Sequence, residues 1–406
     1  MPNDTAAPTW ESLEAFARTK IQQFIQSLLE EEVTSLLGRA RSERRATVDA
    51  PAGYRNGYGK ERRLSMQGGT IAVRRPRVRG IEGRFESKIL PLFRRRTQEV
   101  GQLLPELYLH GLALGDFELA LRGVLGEGAP LSASSIARLR AVWEAEFEVW
   151  RRRDLSDREL VYAWADGVYV KAGLEKDRAC LLVVVGAMRD GRKELLALAA
   201  GHRESTESWS EVLRDLEGRG LRSPVLLIGD GALGLWAAVA NLWPNVRSGR
   251  CWNHKVLNIL DKLPARLERQ ATLLLREMAY AESRADAERR RRTFASRFAA
   301  FPDAVACLDR DWEALTAFFD FPKEHWKHLR TSNVVESPFA ALRLRTDAAK
   351  RFKNVNNATA LIWKVLRVAE SRWRKLDAPD LLRDVYEGRR FVDGKPITRA
   401  IGKEAA

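Results

Sequence analysis

An aspartate at the end of an apolar run constrains the fold of this chain more than any other feature. Residues 225–230 read VLLIGD, and the chain then passes a glycine into the helix-like segment ALGLWAAVANLW. Four apolar residues bounded by turn residues predict a buried strand that ends at Asp230. Charge is unusual at such a position, so we expect Asp230 to have partners that compensate for it.

The neighbouring segments predict the rest of a sheet. We interpret ELVYAWADGVYVKA, CLLVVVGAM and KELLALAAG as three strands, the last two joined by the hairpin turn RDGR. SWSEVLRDLEGRG is helical, VLLIGD is the fourth strand, and VRSGRCWNHK is a fifth strand that runs into a helix. Three antiparallel strands followed by α/β crossovers are the order of a ribonuclease H-like core.

Two acids fall on strands that this order makes neighbours. Asp166 lies in the first strand and Asp230 ends the fourth, so we expect them side by side. Like charges at that distance are unfavourable, and Mg²⁺, which prefers oxygen ligands, is their natural compensation. Glu336, in RTSNVVES, supplies a third acid from a later helix. Two alternatives stay open: Asp230 as a helix N-cap, and Asn333 with Glu336 as a capping box.

Composition points to an anionic partner and a soluble protein. The formal net charge is +15 and the pI is about 9.9, which favours nucleic acid or an anionic membrane surface. No apolar run approaches the roughly 20 residues that span a bilayer, and the N-terminus lacks the apolar core of a signal peptide. Three cysteines make no disulfide framework. We therefore expect a cytoplasmic protein of two or three domains.

The densest basic segment lies between residues 60 and 96, which contain twelve Lys or Arg residues and only three Glu. The strand-like TIAVRRPRV within it favours a small β element or extended arm that contacts DNA. A disordered basic linker is the alternative. The candidate DNA-binding residues of this arm are Arg74, Arg75, Arg77 and Arg79.

Residues 97–150 resemble a helix-turn-helix. A helical pattern is broken at GEGAPLSASS and resumes as the Ser-capped SSIARLRAVWEAEF. Arg138 and Arg140 on this second helix are then available to base edges or phosphates. Any pair of antiparallel helices has a similar pattern.

Four motifs in order, WADGVYVK, LLIGDGALG, RCWNHKVLN and RTSNVVES, resemble those of the Mutator-type transposases of bacterial insertion sequences. The resemblance covers most of the chain, including YRNGYG, the basic arm and the helix-turn-helix-like region. It implies a ribonuclease H-like domain whose Asp-Asp-Glu triad maps onto Asp166, Asp230 and Glu336. These residues would hold two Mg²⁺ ions, for which Mn²⁺ can substitute, and catalyse two-metal phosphoryl transfer.

The resemblance also implies the partners and the supporting residues. The substrate is double-stranded DNA, namely the terminal inverted repeats and the target, and a homodimer or higher oligomer is expected on it. Cys251 and His254 match the family pattern. A structural zinc needs four ligands, so we expect them, with Asn333, to order the active site without zinc. Basic residues after Glu336 are expected beside the phosphates, namely Arg343, Arg345, Lys350 and Arg351.

The excess length between Asp230 and Glu336 has a helical pattern. We interpret residues 265–321 as an all-helical insertion, in which Arg289–Arg292 either touch DNA or form a solvated face. The acids Asp190, Asp309, Asp311 and Glu313 are interpreted as surface charges. The expected division is N-terminal helices and basic arm (1–96), helix-turn-helix-like domain (97–155), first core segment (156–264), insertion (265–321), second core segment (322–376) and tail (377–406).

Two other classes of function compete with a transposase. A ribonuclease H-like nuclease or junction resolvase shares the acids but cleaves without joining. A DNA-binding regulator derived from a transposase keeps the basic arm and loses an acid. All three acids are present, which disfavours the regulator.

Overall fold

The computed structural model describes most of the chain. The described residues are 9–45, 47, 51–67, 69–91, 94–97, 100, 107, 109, 125, 133–171, 178–201, 203–339 and 355–397. The chain divides into two compact units, an N-terminal unit (residues 1–139) and a C-terminal unit (residues 140–406).

A long helix and four short strands form the described part of the N-terminal unit. Helix α1 (Leu13–Leu37) ends at Gly38, whose positive φ of 65° suits a residue without a side chain. The strands pair as two antiparallel ribbons, β1 with β4 and β2 with β3. Their bounds are β1 (Tyr54–Tyr58), β2 (Arg62–Met66), β3 (Gly69–Val73) and β4 (Pro76–Arg79).

These strands have a small core of their own. Leu29 of α1 is buried with Ile71, Val73 and Leu90. The side-chain amide of Gln26 both donates to the carbonyl of Arg74 and accepts from its N–H, at 2.9 and 3.0 Å. The prediction of a small β element is thus confirmed, and the alternative of a disordered linker is wrong for residues 54–79.

The candidate DNA-binding cations differ in exposure. Arg74, Arg77 and Arg79 are exposed, whereas Arg75 is half-buried, and burial lowers the pKa of its guanidinium. The first helix of the predicted helix-turn-helix lies largely outside the described residues. Its second helix is α2 (Ala133–Arg151). The structure does not describe the side chains of Arg138 and Arg140 on this helix.

A five-stranded mixed sheet is the centre of the C-terminal unit. Its order is β7-β6-β5-β8-β9, with β5, β6 and β7 antiparallel and β8 and β9 parallel to β5. The predicted sequence of elements and the adjacency of the first and fourth strands are confirmed. The strands are β5 (Leu160–Lys171), β6 (Arg178–Met188), β7 (Lys193–Gly201), β8 (Leu226–Gly229) and β9 (Arg247–Arg250).

The predicted hairpin turn joins β6 to β7. Gly191 has a φ of 84°, which L-residues rarely adopt. The Asp190 carboxylate accepts the N–H of Arg192 at 2.9 Å and closes the turn. Asp190 is thus a turn residue, as expected from the Asp-Gly pair.

Helices make up most of the rest of this unit, together with a short antiparallel ribbon of two strands, β10 (Phe391–Val392) and β11 (Lys395–Pro396). Residues 265–321 are helical, as the sequence pattern predicts. The helices are α3 (Thr206–Gly218), α4 (Leu233–Leu242), α5 (Trp252–Leu260), α6 (Ala265–Ala279), α7 (Arg284–Arg297), α8 (Pro302–Arg310), α9 (Trp312–Thr316), α10 (Trp326–Leu329), α11 (Asn333–Glu336), α12 (Val355–Glu370) and α13 (Pro379–Tyr386).

The two faces of β5 bury different neighbours. Ala163 and Ala165 lie in the core that α3 and α4 cover through Trp209 and Leu235. Tyr162 and Trp164 point to the opposite face of the sheet. The Tyr162 hydroxyl is hydrogen-bonded to His325 Nδ1 at 3.0 Å, and the Trp164 indole N–H donates to the carbonyl of His328 at 3.0 Å. Because side chains alternate along a strand, Asp166 points to the second face, against which α11 packs.

None of the described helices combines the length and the apolar character needed to span a bilayer.

Candidate active site

Strand pairing sets two aspartates side by side. In the parallel ladder of β5 and β8, Ala165 pairs with Gly229, so Asp166 and Asp230 are the next residues on two adjacent strands. Neighbouring strands lie about 4.8 Å apart, so the two residues are direct neighbours across the ladder.

Asp166 is the most perturbed of these acids. Its side chain is buried, with 8% of the residue exposed, and one oxygen accepts the N–H of Gly167 at 2.8 Å. Burial, and then the charges of Asp230 and Glu336, raise its pKa to about 7. Three carboxylates therefore converge here, although they lie far apart in the sequence.

Asp230 closes a tight turn between β8 and α4. Its Oδ1 accepts the N–H of Ala232 at 2.9 Å, and Ala232 is the N-cap of α4. The alternative of Asp230 as the N-cap is therefore wrong. Gly231 has a φ of 97°, and a Cβ there would lie 1.9 Å from the guanidinium carbon of Arg250, so only glycine fits this turn.

Glu336 is oriented by the residue that precedes its helix. The N-cap of α11 is Ser332, so the capping box with Asn333 as N-cap is wrong by one residue. The Ser332 hydroxyl donates to Glu336 Oε1. Asn333 is exposed, and its side chain accepts a hydrogen bond from Asn253 of α5 at 3.2 Å.

Cys251 and His254 lie against Glu336. The ligand atoms of the three lie within 4.8 Å of one another, and His254 Nδ1 is 3.8 Å from Glu336 Oε1. The adjoining Cys251 sulfur is the main cause that raises the pKa of His254 to about 9. Burial raises the pKa of Cys251, but hydrogen bonds from His254 and Ser332 outweigh it and hold that pKa below its ordinary value.

Glu204 is a fourth acid at this edge, and sequence reasoning missed it. Burial, and then the charge of Asp230, raise its pKa. Its carboxylate packs on Gly167, where a Cβ would lie 2.5 Å from Glu204 Cδ. A signal was available: the third strand of the predicted sheet runs in the same direction as the first, so an acid just after it reaches the same edge.

Asp311 has a structural role that the sequence did not reveal. Its Oδ2 accepts from Arg250 Nε at 3.2 Å and from Lys255 Nζ at 2.5 Å, and both cations are buried. The interpretation of Asp311 as a surface charge is therefore wrong, because two buried cations share its carboxylate. Glu313 is largely exposed, as expected.

The remaining candidate phosphate-binding residues lie outside the described residues: Arg343, Arg345, Lys350 and Arg351. The three cysteines are buried and unpaired, in agreement with the absence of a disulfide framework.

Replacing Asp166 with Asn should stabilise the metal-free protein. A carboxyl whose pKa is raised from 3.8 to about 7 binds its proton more tightly when folded, so ionised Asp166 reduces stability above pH 7. We expect D166N to raise the Tm by about 2–6 °C at pH 8 with EDTA. E313Q, at an exposed carboxylate, should change it by less than about 1 °C. A lower Tm for D166N would contradict the proposed repulsion.

Purified protein should contain less than one equivalent of zinc when none is added. Cys251, His254 and Glu336 offer three ligands, and a structural zinc site needs four. The Cys251 sulfur already accepts the N–H of Ser332 at 3.3 Å. Elemental analysis tests this, and a stoichiometric zinc that resists chelators would contradict it.

Comparison with known proteins identifies the family. The family model "Transposase, Mutator family" matches residues 4–376. The transposase for insertion sequence element IS6120 of Mycolicibacterium smegmatis is 44% identical over 301 residues, 74% of this chain and 93% of its own length. The transposase for element IST2 of Acidithiobacillus ferrooxidans is 40% identical over 280 residues, 68% of this chain and 95% of its own length. This chain belongs to the Mutator family of transposases.

Proposed function

We propose that this transposase binds the ends of an insertion sequence, cleaves the DNA there and joins the ends to target DNA, with Asp166, Asp230 and Glu336 as its catalytic acids. The observation that carries the proposal is the pairing of Ala165 with Gly229, which sets the two aspartates side by side. The charge of Glu336, which contributes to the raised pKa of Asp166, adds the third acid.

The fold of the C-terminal unit supports a ribonuclease H-like core. Such a core has three antiparallel strands, a fourth and fifth strand parallel to the first, and its acids at the edge where the first and fourth strands meet. The observed order β7-β6-β5-β8-β9 has this arrangement. The helices between residues 265 and 321 then interrupt the core between the second and third acids.

The donor set suits Mg²⁺. Three carboxylates converge, and their mutual repulsion favours a hard divalent cation with oxygen ligands. Asp166, Asp230 and Glu336 would hold two such ions, which activate the attacking water or 3′-hydroxyl and stabilise the leaving oxygen. Mn²⁺ has the same ligand preference and should substitute.

The chain's own residues orient these acids. The N–H of Gly167 holds one oxygen of Asp166, and the N–H of Ala232 holds one oxygen of Asp230. The Ser332 hydroxyl holds Glu336. His254, with its raised pKa, puts positive charge next to Glu336 and offsets part of the negative charge of the site. This chemistry needs no covalent intermediate, and hence no nucleophilic side chain.

The partners follow from the reaction. Joining two element ends to a target requires that the protein bind double-stranded DNA both at the element ends and at the target. Holding two ends together favours a dimer or higher oligomer. The relatives named above are transposases for insertion sequence elements, which supports the same substrate here. A nuclease or junction resolvase would cleave but not join, so a strand-transfer assay with element ends separates these possibilities.

Isosteric variants of the three acids should lose DNA cleavage and strand transfer but still bind DNA. We expect D166N, D230N and E336Q to lower cleavage and strand transfer with Mg²⁺ by at least roughly a thousandfold, because each removes a metal ligand. Gel shifts on element-end DNA should stay within about twofold of wild type, since phosphate contacts dominate DNA affinity. E313Q is the control that should retain activity. Near wild-type cleavage by E336Q would remove Glu336 from the catalytic set.

The N-terminal residues should recognise the element ends. We expect a fragment of residues 1–150 to bind end DNA in preference to random DNA, and the catalytic unit alone to show no preference. Phosphate contacts give affinity without sequence, with a log–log salt slope of about −0.9 per phosphate, so a preference that survives competitor DNA requires base contacts. Gel-shift titrations at two salt concentrations measure both. Equal affinity for the two DNAs would mean that the N-terminal residues bind DNA only through phosphate contacts and do not recognise its sequence.

A further inference from the structure

Each arginine of the run in α7 is paired with an acid of its own helix. Asp286 pairs with Arg289 at 2.8 Å and with Arg290 at 3.0 Å. Glu288 pairs in the same way with the next two arginines of the run, at 2.7 and 3.7 Å. Arg291 also lies over the ring of Trp312. Of the two roles considered for this run, the pairing favours a solvated face over a DNA contact.

A second set of cations on the preceding helix has no such partners. Lys262, in the turn before α6, and Arg266, Arg269 and Arg276 on α6 are exposed. Among the described residues, no carboxylate lies within ion-pair distance of any of the four. The reason is visible in the sequence, because no Asp or Glu stands three or four residues before or after any of them.

These cations share one face of α6 with two exposed side chains. Residues 266, 269, 273, 276 and 280 follow a spacing of three or four, which puts them within an arc of about 80° and a length of about 21 Å. Leu273 and Tyr280 are 55% and 69% exposed. Glu277, which borders this stripe, is engaged by Arg290 of α7 at 2.8 Å. The stripe is therefore positive along its length.

One end of the stripe lies at the candidate active site. The ring of Tyr280 is 4.7 Å from the guanidinium of Arg330. The carbonyl of Arg330 accepts the N–H of Trp252, the first residue of the helix that carries His254. Two residues after Arg330, Ser332 holds Glu336. The stripe thus runs from the loop of the third acid outwards along α6.

We propose that this stripe is the track that binds the phosphates of duplex DNA as it leaves the active site. Arg266 and Arg276, the outermost cations on α6, lie about 15 Å apart along the helix axis, which spans about four base pairs of a duplex that rises 3.4 Å per pair. The inference rests on the proposed function for its substrate. It assigns the contact to the scattered cations of α6 and not to the more conspicuous run of α7.

Two double variants with the same change of charge test the assignment. R266Q/R269Q removes two stripe cations, and R289Q/R292Q removes two exposed arginines that are paired with acids. The full-length proteins are titrated with random-sequence duplex DNA in EDTA, over a series of KCl concentrations. Because EDTA prevents cleavage, the outcome does not depend on whether the three acids are catalytic.

We expect R266Q/R269Q to make the plot of log binding constant against log salt concentration less steep. Its slope should fall in magnitude by about 2, because each lost phosphate contact contributes about 0.9. The affinity of this variant near 0.1 M salt should fall by roughly tenfold or more, whereas R289Q/R292Q should alter the slope by less than about 0.5. R266K/R269K, which keeps the charge, should retain the wild-type slope.

Three outcomes would overturn the proposal. Equal losses in both double variants would mean that only total charge matters. An unchanged slope in R266Q/R269Q would remove α6 from the interface. A change in the sedimentation of DNA-free R266Q/R269Q, with the slope unchanged, would assign the stripe to contacts between copies of the chain. Thermal melts of all variants check that folding is equal.

Discussion

Repulsion between carboxylates is the constraint around which the C-terminal unit is built. The pairing of β5 with β8 forces Asp166 and Asp230 together, and α11 adds Glu336. A fold that only had to be stable would separate these charges, because a buried carboxylate loses hydration and gains repulsion. The chain instead fixes each one by a local hydrogen bond, which supports the proposal that they hold a metal ion together.

The surroundings of the site offset this cost in two ways. His254 adds positive charge beside Glu336, and the sulfur of Cys251, the N-cap residue of α5, lies within 4.8 Å of a ligand atom of each. Behind them, Asp311 pairs with two buried cations, Arg250 and Lys255, so that β9 and α5 are tied to α9. The position of Cys251 and His254 beside Glu336 favours the proposal that the Cys-x-x-His motif orders the third acid.

Periodicity made the sheet predictable and left the local contacts undetermined. Apolar runs of four or more residues, with an Asp-Gly hairpin turn between two of them, indicated the first four strands of the sheet and hence the neighbourhood of Asp166 and Asp230, whereas the short β9 has no such run. The predictions that were wrong or incomplete depended on the contacts of individual side chains. Ser332 and not Asn333 caps α11, and Asp311 is tied to cations from distant elements. Glu204 was missed because it follows the third strand, outside the four motifs, although the direction of that strand was a usable signal.

The central claim is that Asp166, Asp230 and Glu336 hold one divalent-metal centre. Fe²⁺ in place of Mg²⁺, with ascorbate and peroxide, generates hydroxyl radicals that cut the backbone nearest the metal, and mass spectrometry locates the cuts. The account predicts three cuts, near residues 166, 230 and 336, that disappear together in D166N or when Mg²⁺ competes. Cuts that cluster at Cys251 and His254, or that persist in D166N, would contradict it.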